Sequence, residues 1–349
     1  MRLVTAIPAQ DDRGAVPPAA ILAALRRHGW LAPNAAATGA RLTGGVSSEI
    51  WRIDLPGGPI CAKQALAKLN VAAEWYAPVA RSRYEARWLQ AAGAAAPRVL
   101  GSDDASGVLL MEYLPPERYP LWKAELLAGR ADPGFAAAVG GALGRIHAAS
   151  AATPAETAAR FPTDAIFHAI RLEPYLLATA RAHPDRAAAL LALAETTAAT
   201  HRALVHGDVS PKNILVGPDG PLFLDAECAW WGDPAFDLAF CLNHLLLKCL
   251  RMPRAAPAML GCFDALATAH RACIAWEEPA TLEERAAHLL PGLMLARVDG
   301  KSPVEYLTEA AEKASVRRVA RALLAAPVAR LGEVRAAWVA ELRRRGVPA

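Results

Sequence analysis

Residues 204–227, LVHGDVSPKNILVGPDGPLFLDAE, restrict the possible folds of this chain more than any other segment. Two short apolar runs, 214–216 and 222–224, flank a Gly-Pro-Asp-Gly turn, a pattern that predicts a β-hairpin. Polar residues precede the first run and follow the second. Because a hairpin returns the chain to the end where it started, we expect the carboxylates of Asp208 and Asp225 to lie close together.

The order of side chains around this hairpin is informative. His206-x-Asp208, Asn213 five residues after the aspartate, and Asp225 after the second strand follow the order of the kinase catalytic loop and metal-binding aspartate. A second block, 232–239, reads Gly-Asp-Pro-Ala-Phe-Asp-Leu-Ala. On these residues the chain resembles the aminoglycoside phosphotransferase and choline kinase family, small-molecule relatives of the protein kinases.

The spacing after Asp225 separates the chain from the protein kinases themselves. Asp225 and Asp237 are only 12 residues apart, which leaves no room for a long activation segment, and no Ala-Pro-Glu follows. Ser210 stands two residues after Asp208, where serine/threonine protein kinases usually carry lysine. The sequence therefore argues against a protein kinase.

The resemblance implies a role for each polar residue of the hairpin segment. An alcohol that attacks a γ-phosphoryl group needs a carboxylate to orient it and accept its proton, and the transferring charge needs a divalent metal held by oxygen ligands. Asp208 is accordingly the expected catalytic base, and Asn213 and Asp225 are the expected Mg2+ ligands. Glu227 could add a water-mediated metal contact. Lys212 could contact the phosphoryl group, although a loop lysine is more often simply solvated.

Two other residues of these motifs are expected to be structural. In the family His206 braces the loop, and Asp237 can cap its own helix or brace the same loop. His147, in the preceding Leu-Gly-Arg-Ile-His segment, is expected to be packed rather than catalytic. A metal hydrolase built on His206 and Asp208 is an alternative, but the chain lacks further histidines at ligand spacing.

The resemblance also implies an ATP-binding part nearer the amino terminus. Lys63, on a predicted strand at 59–65, would bind phosphates, and Glu85 on the following helix would position it, with Glu74 as the rival. Further candidates lie in a glycine loop before the strand at 50–53 and in a linker that would contact adenine. These candidates are Gly44, Gly45, Ser47, Ser48, Met111, Glu112 and Tyr113.

The acceptor is harder to predict. Candidate contacts in the carboxy-terminal part are Ser210, Trp230, Trp231, Arg297 and Asp299. The two tryptophans could wall the acceptor site or pack in the core, and Arg297 and Asp299 could pair with each other. A cationic acceptor would suit the acids around 277–284, whereas Arg297 with Lys301 could hold an anionic one. Both possibilities stay open.

The apolar periodicity predicts an α+β fold. A short helix at 17–29, strands at 50–53, 59–65, 97–100 and 108–113, and a helix at 71–92 precede helices at 136–149, 186–203, 236–250, 255–275 and 315–345. Residues 41–45 lead into the first of these strands through a Gly-Gly bend. The resemblance implies a two-lobed, protein-kinase-like arrangement. The expected domains are a nucleotide-binding lobe at 1–114, with one key helix beside its antiparallel sheet, and a larger, mainly helical catalytic and acceptor-binding lobe at 115–349.

Composition restricts the function classes. A hydrophobic fraction of 54%, a charged fraction of 21% and a net charge of +4 indicate a globular protein and exclude a disordered one. The basic residues are dispersed apart from the run at 343–345, which gives little support for nucleic-acid binding. The sequence has no membrane-spanning or signal-peptide run, and its six cysteines form no C-x-x-C pair. We expect a cytoplasmic protein with no membrane partner.

These observations predict a small-molecule kinase that moves the γ-phosphate of ATP to a hydroxyl of a small polar acceptor, with Mg2+. The expected acceptor is an aminoglycoside-like antibiotic, an amino alcohol or a sugar. The alternative is a nucleotide-binding pseudokinase that acts as a regulatory or interaction module. Competent residue types at all five catalytic positions argue against that alternative.

Overall fold

The computed structural model describes residues 14–42, 48–67 and 78–349. The chain divides into two compact units. The first comprises the described residues up to Tyr119 together with Leu222–Glu227, and the second comprises Pro120–Pro221 and Cys228–Ala349. The first unit is built on an antiparallel sheet and the second is mainly helical. The predicted α+β class, with a small sheet part and a larger helical part, is confirmed.

The described strands of the first unit form one antiparallel sheet in the order β1-β2-β3-β5-β4. They are β1 (Thr38–Leu42), β2 (Ser48–Asp54), β3 (Ile60–Ala65), β4 (Val99–Asp103) and β5 (Val108–Glu112). Trp51 and Ile53 of β2 are buried and alternate with the more exposed Arg52, as expected for a strand with one face on a core. The predicted hairpin of β2 and β3 is confirmed, whereas β1 is a strand that was not predicted.

Two helices accompany this sheet, α1 (Ala19–Arg27) and α2 (Arg81–Ala92). Ile21, Ala24 and Leu25 form one apolar stripe of α1 and belong to the same buried cluster as Trp51 and Ile53. The helix predicted at 17–29 is therefore confirmed. The helix predicted at 71–92 is wrong at 78–80, which precede α2 as a turn, because proline 78 lacks the amide hydrogen that would continue a helix. Its part at 71–77 lies outside the described residues.

The second unit contains most of the helices. They are α3 (Trp122–Leu127), α4 (Pro133–Ala151), α5 (Pro154–Arg160), α6 (Asp164–Phe167), α7 (Ala178–Ala182), α8 (Ala187–Ala199), α9 (Pro234–Arg251), α10 (Ala256–Arg271), α11 (Pro279–Asp299), α12 (Ala310–Ala325) and α13 (Leu331–Arg344). Helices α4 and α10 approach closely at Gly140, where a Cβ atom would lie 2.2 Å from the carbonyl oxygen of Leu266. A side chain at this position would therefore separate the two helices.

Short strands support the motif segment. They are β6 (Ala203–Val205), β7 (Ile214–Gly217), β8 (Gly220–Phe223) and β9 (Trp230–Gly232). β7 and β8 form the predicted hairpin, and β6 pairs antiparallel with β9. The pairing of β6 with β9 was not predicted, and the helix expected at 186–203 ends at Ala199 for this reason. The helix expected at 315–345 is also wrong, since it consists of α12 and α13 separated at Pro327.

The segment His168–Leu177, between α6 and α7, is a π-helix. Pro174 lies inside it and has no N–H to donate, so the backbone bonding of an α-helix cannot continue through this turn. π-Helical turns are rare in proteins, and those that do occur are frequently found at functional sites. The segment carries Arg171 and Tyr175, both of which are buried.

Candidate active site

The first unit contains a buried charged cluster centred on Lys63 of β3. Lys63 stands opposite Ile50 of β2 and Leu109 of β5 in the sheet register, so its strand is hydrogen-bonded on both sides. Its Nζ donates to both carboxylate oxygens of Glu85, at 2.8 Å each, and forms an ion pair with Asp225. The structure thus brings together Lys63 and the predicted partner Glu85 on α2, while Glu74 lies outside the described residues.

Burial and charge act in opposite directions on this cluster. Burial of the ammonium works to lower the pKa of Lys63, but the charges of Asp225 and Glu85 outweigh it and hold the pKa above its ordinary value. Burial raises the pKa of Glu85 to about 7, against the charge of Lys63. The lysine therefore stays protonated.

Asp225 has an unusual backbone conformation. Its φ of 65° is the only positive φ of a non-glycine residue in the described part of the chain. Aspartate and asparagine tolerate this left-handed region better than other residues with a Cβ, and such conformations cluster at functional sites. The side chain is directed to Lys63 from this position at the end of β8.

A second buried ion pair lies beside the first. Arg81, at the start of α2, is fully buried and donates from Nε to Glu227 at 2.9 Å. Its two other nitrogens donate to the carbonyl oxygens of Pro78 and Leu66, at 3.0 and 2.7 Å. Glu227, predicted as a water-mediated metal contact, is therefore held by Arg81. The cluster contains three carboxylates and two cations.

The other predicted nucleotide contacts are only partly described. Gly44, Gly45 and Ser47 lie outside the described residues, whereas Ser48 is buried and its hydroxyl has no hydrogen-bond partner among the described residues. Met111 is buried in β5 and Tyr113 is half-buried beneath the Arg52 guanidinium, 5.3 Å from the ring centre. Met111 and Glu112 thus lie within β5 and only Tyr113 follows it, and their contact with adenine stays a prediction.

Glu112 is engaged within the first unit. Its backbone N–H donates to the carbonyl oxygen of Arg98 at 3.0 Å, and its carboxylate accepts from the Arg98 N–H at 2.8 Å. Glu112 also lines a cavity of about 350 Å³ beside the turn between β2 and β3, together with Trp30 and Leu100. No other predicted nucleotide contact lines that cavity.

The second unit holds Asp208 in a buried position after β6. Its Oδ2 atom is 3.0 Å from Arg171 Nη2 and 3.1 Å from Lys212 Nζ. Asn213 donates from Nδ2 to the backbone oxygen of Asp208 at 3.1 Å, so its amide oxygen is the atom suited to a cation. The structure brings Asp208, Lys212 and Asn213 together. Asp225 belongs to the first unit, so the predicted proximity of the two aspartates stays a prediction.

Asp237 braces the loop that carries Asp208. Its carboxylate accepts from the backbone N–H groups of His206 and Gly207, at 2.7 and 2.8 Å. His206 Nδ1 accepts from the backbone N–H of Asp208 at 3.1 Å. Gly207 has φ 78°, and a Cβ there would lie 2.7 Å from the Cβ of Cys228. The loop is thus fixed by its backbone, as predicted for His206 and Asp237.

A pair of histidines extends this brace into the core. His147 lies 3.3 Å from Asp237 through Nε2 and 3.0 Å from His270 through Nδ1, and both rings are fully buried. Burial lowers the pKa of His270 well below its ordinary value, and the adjacent His147 lowers it further. These contacts agree with the packed role expected for His147.

A comparison with protein-family models decides the family. The model described as the phosphotransferase enzyme family matches residues 38–246, which are 209 of the 349 residues. The chain belongs to this phosphotransferase family. The resemblance to aminoglycoside phosphotransferases and choline kinases is therefore confirmed, and the prediction of a small-molecule kinase is confirmed at the level of the family.

Solved structures are similar to this phosphotransferase in fold. An ethanolamine kinase of Plasmodium vivax has a TM-score of 0.52 and 11% identity, over 85% of each chain. An amicoumacin kinase in complex with AMP-PNP, Ca2+ and Ami has a TM-score of 0.50 and 12% identity, over 89% of this chain and 95% of that one. At these identities the likeness shows the fold, and the predicted kinase-like fold is confirmed.

A curated relative matches a short stretch of this phosphotransferase. A probable ketoamine kinase of Klebsiella pneumoniae is 45% identical over 42 residues, which are 12% of this chain and 33% of that protein. The match thus spans about a third of the length of the relative.

The residues predicted to contact the acceptor differ from one another in burial and in hydrogen bonding. Trp230 is buried, stacks on Phe167 at 4.2 Å between ring centres and donates to Asp164 at 2.8 Å, which favours the core-packing alternative. Trp231 is half-buried. Ser210 is fully buried, and its hydroxyl has no hydrogen-bond partner among the described residues.

Arg297 and Asp299 have different partners from each other. Arg297 donates to the Tyr175 hydroxyl at 3.1 Å and to the Ser302 hydroxyl at 2.9 Å. Asp299 pairs with Arg317 at 2.6 Å and with His183 at 2.8 Å. The alternative that Arg297 and Asp299 pair together is therefore wrong, because each of them contacts other residues.

Arg81 and Arg171 are site residues that the sequence reasoning missed. Arg81 stands four residues before Glu85, so on a helix the two side chains share one face. This spacing could have identified Arg81 as a neighbour of Glu85. Arg171 had no comparable signal, because its position depends on the π-helix.

No group of three or more histidine, cysteine, aspartate or glutamate side chains in the described ranges is arranged to hold a metal ion. No helix among the same residues has the length and apolarity needed to cross a membrane.

Proposed function

We propose that this chain transfers the γ-phosphoryl group of ATP to a hydroxyl of a small polar acceptor, with Asp208 as the base and Mg2+ as the cofactor. The observation that carries the proposal is the burial of Asp208 together with its contacts to two cations. Asp208 is a buried carboxylate at the base position of the family motif, and Arg171 and Lys212 contact its Oδ2 atom at 3.0 and 3.1 Å. A fixed carboxylate of this kind can orient a hydroxyl and accept its proton.

In the proposed reaction the acceptor oxygen forms a bond to the γ-phosphorus, and the bond from that phosphorus to the bridging oxygen of ATP breaks. Asp208 accepts the hydroxyl proton, and ADP leaves. Arg171 and Lys212 hold Asp208 in one orientation, so that less freedom is lost when the acceptor binds. The brace from Asp237 keeps the whole loop in place.

The first unit would bind the nucleotide and the second the acceptor. In the first unit, Lys63 has the charge and burial needed for a phosphate contact, and Glu85 fixes it. The donor set assigned to the metal, Asn213 and Asp225 with Glu227 nearby in sequence, is made of the oxygen ligands that Mg2+ prefers. Bound Mg2+ would neutralise phosphate charge. All six cysteines are free, in agreement with the cytoplasmic location that we propose.

The test is a nucleotide-consumption assay with Mg2+ and a panel of aminoglycosides, amino alcohols, sugars and hydroxy acids, run on the wild type and on Asp208→Asn. We expect acceptor-dependent ADP release that falls about a thousandfold in the variant, while ATP still binds. Asp219→Asn, in the exposed turn between β7 and β8, is the matched control and should leave turnover unchanged.

The pseudokinase alternative predicts a different result. A binding module would retain tight Mg-ATP binding but would show no acceptor-dependent turnover with the panel or with a metabolite extract. Its function would also survive Asp208→Asn. Turnover that Asp208→Asn leaves unchanged would exclude Asp208 as the base.

A further inference from the structure

The second unit contains a buried group of basic and phenolic side chains that adjoins Asp208. It is formed by the π-helix, α9, the end of α11 and the segment that follows α11. We call it the cationic cluster, and its members are Arg171, Tyr175, His244, Lys248, Arg297 and Tyr306.

Contacts connect this cluster to the proposed base. Arg171, which contacts Asp208 at 3.0 Å, lies 5.8 Å from the centre of the Tyr175 ring. The Arg297 guanidinium lies 5.5 Å from the same ring centre and donates to the Tyr175 hydroxyl at 3.1 Å. The Tyr175 ring is therefore in contact with two guanidinium groups, one of which holds Asp208.

The other end of the cluster centres on Tyr306. Lys248 Nζ lies 4.4 Å from the centre of the Tyr306 ring, and the Tyr306 hydroxyl is 3.2 Å from His244 Nδ1. Phe240 joins the two ends, with ring centres 5.4 Å from Tyr175 and 5.5 Å from His244. The six side chains thus form one continuous group.

Arg171 is paired with Asp208, but two other cations of the cluster have no acid partner among the described residues. Among the described residues, Lys248 and Arg297 form no ion pair with a carboxylate, although they are only 1% and 7% exposed. The acids in their neighbourhood have other partners, since Glu305 pairs with Lys123 at 2.5 Å and Asp299 with Arg317. Burying an unpaired charge costs free energy, so a site with two such cations favours an anion.

Unsatisfied polar atoms support the same conclusion. His244 Nε2 and Arg297 Nε are buried and have no hydrogen-bond partner among the described residues. Buried polar groups in proteins are nearly always hydrogen-bonded, and an exception needs an explanation. Burial and the charge of Lys123 lower the pKa of Lys248 to about 7. Burial and the charges of Lys248 and Arg297 lower the pKa of His244.

We propose that the phosphate acceptor carries an oxyanion, a carboxylate or a phosphate ester, which binds to the cationic cluster and places the acceptor hydroxyl at Asp208. The inference rests on the proposed function and specifies its substrate class. Arg297 and Lys248 supply the counter-charge, and His244 and the tyrosine hydroxyls supply hydrogen bonds. A cationic acceptor such as an amino alcohol would be repelled by the same charges.

The first experiment measures acceptor-dependent ADP release with Mg-ATP for three sets of hydroxyl compounds: cationic, neutral and anionic. The anionic set contains hydroxy carboxylates and sugar phosphates as separate arms, which distinguishes the two sources of the oxyanion. We expect turnover in the anionic set. Turnover confined to cationic or neutral acceptors would overturn the inference while leaving the proposed function intact.

Variants then assign the binding to the cluster. Lys248→Met removes the charge and keeps most of the volume, and we expect it to raise the KM for the anionic acceptor about tenfold or more. The KM for ATP should stay within about twofold. Arg297→Gln should act in the same direction. Lys313→Met, on α12 outside the cluster, is the matched control, and an effect of Lys248→Met no larger than that of the control would overturn the inference.

A binding measurement keeps the inference testable when no turnover is found. With saturating Mg-AMP-PNP, the unfolding temperature is measured during titration with inorganic phosphate or glycerate. We expect both wild-type protein and Lys313→Met to be stabilised, and Lys248→Met to lose that stabilisation. Stabilisation without turnover would support the anion site and count against the proposed function, whereas no stabilisation of the wild type would overturn the anion site.

Discussion

The two charged regions of this protein differ in how their cations are balanced. In the first unit Lys63 is held by Glu85 and Asp225, and Arg81 by Glu227. In the second unit the cationic cluster holds Lys248 and Arg297 without a carboxylate partner among the described residues. Both cations of the first region therefore have carboxylate partners within it, whereas in the second region a ligand supplies the counter-charge.

The largest expected effect comes from removing the cation that Glu85 and Asp225 share in the first region. Lys63→Met leaves Glu85 and Asp225 without their shared cation, and loss of one partner of a buried pair costs about 3–5 kcal/mol of unfolding free energy. Denaturant unfolding of the variant and the wild type measures this difference. Lys313→Met is the control and should change stability by no more than about 0.5 kcal/mol.

A loss of unfolding free energy in Lys63→Met as small as that in Lys313→Met would contradict the assignment of Lys63 as the centre of a tightly coupled buried cluster. The same variant should also lose Mg-ATP binding, as measured by calorimetry, because the lysine is the proposed phosphate contact. Loss of stability without loss of nucleotide binding would mean that Lys63 is only structural.

The second prediction concerns Lys248 and has the form of a pH dependence. Burial and the charge of Lys123 place the pKa of Lys248 at about 7 in the folded protein, while an unfolded lysine has a pKa of about 10.4. The charged groups that act on it are Lys123, Glu305, Cys241 and Arg297. Between these two pKa values the unfolded chain binds more protons at this site than the folded chain, so stability rises with pH.

We expect the unfolding free energy of the wild type to rise relative to Lys248→Met by about 1 kcal/mol per pH unit from pH 7 to pH 10. The comparison between the two proteins cancels the contributions of other groups. Urea unfolding at several pH values measures it. A difference that is flat or falls with pH would show that Lys248 is not an unpaired buried cation.

The same contrast explains what could be predicted from the sequence. Lys63, Glu85, Asp208, Asn213 and Asp225 stand at motif positions, so a single hairpin and a strand-helix order were enough to select them as candidates. The contacts of Lys63 with Glu85 and Asp225 agree with that selection. The hairpin itself was readable because its turn and apolar runs are local. The break between α12 and α13 was also local, since Pro327 is visible in the sequence, and it was missed.

The cationic cluster could not be predicted in this way. Its members come from a π-helix, from α9, from the end of α11 and from the segment after it, and more than 100 residues separate Arg171 from Arg297. In the sequence Lys248 is one polar residue in an apolar helix. Only the packing of these elements shows that Lys248 has no ion pair with a carboxylate in the described part of the chain, because ion pairing depends on the three-dimensional arrangement.

The smallest expected effect concerns the backbone conformation of Asp225, in the first region. Asp225 has φ 65°, and the described part of the chain contains no other non-glycine residue with a positive φ. Asp225→Asn and Asp225→Ala both remove the charge beside Lys63, but only asparagine tolerates this conformation well. We expect Asp225→Ala to be less stable than Asp225→Asn by about 1 kcal/mol, measured by denaturant unfolding. Equal stabilities would mean that the backbone relaxes at no cost once the carboxylate is gone, so that the ion pair with Lys63, rather than the turn after β8, imposes the left-handed conformation.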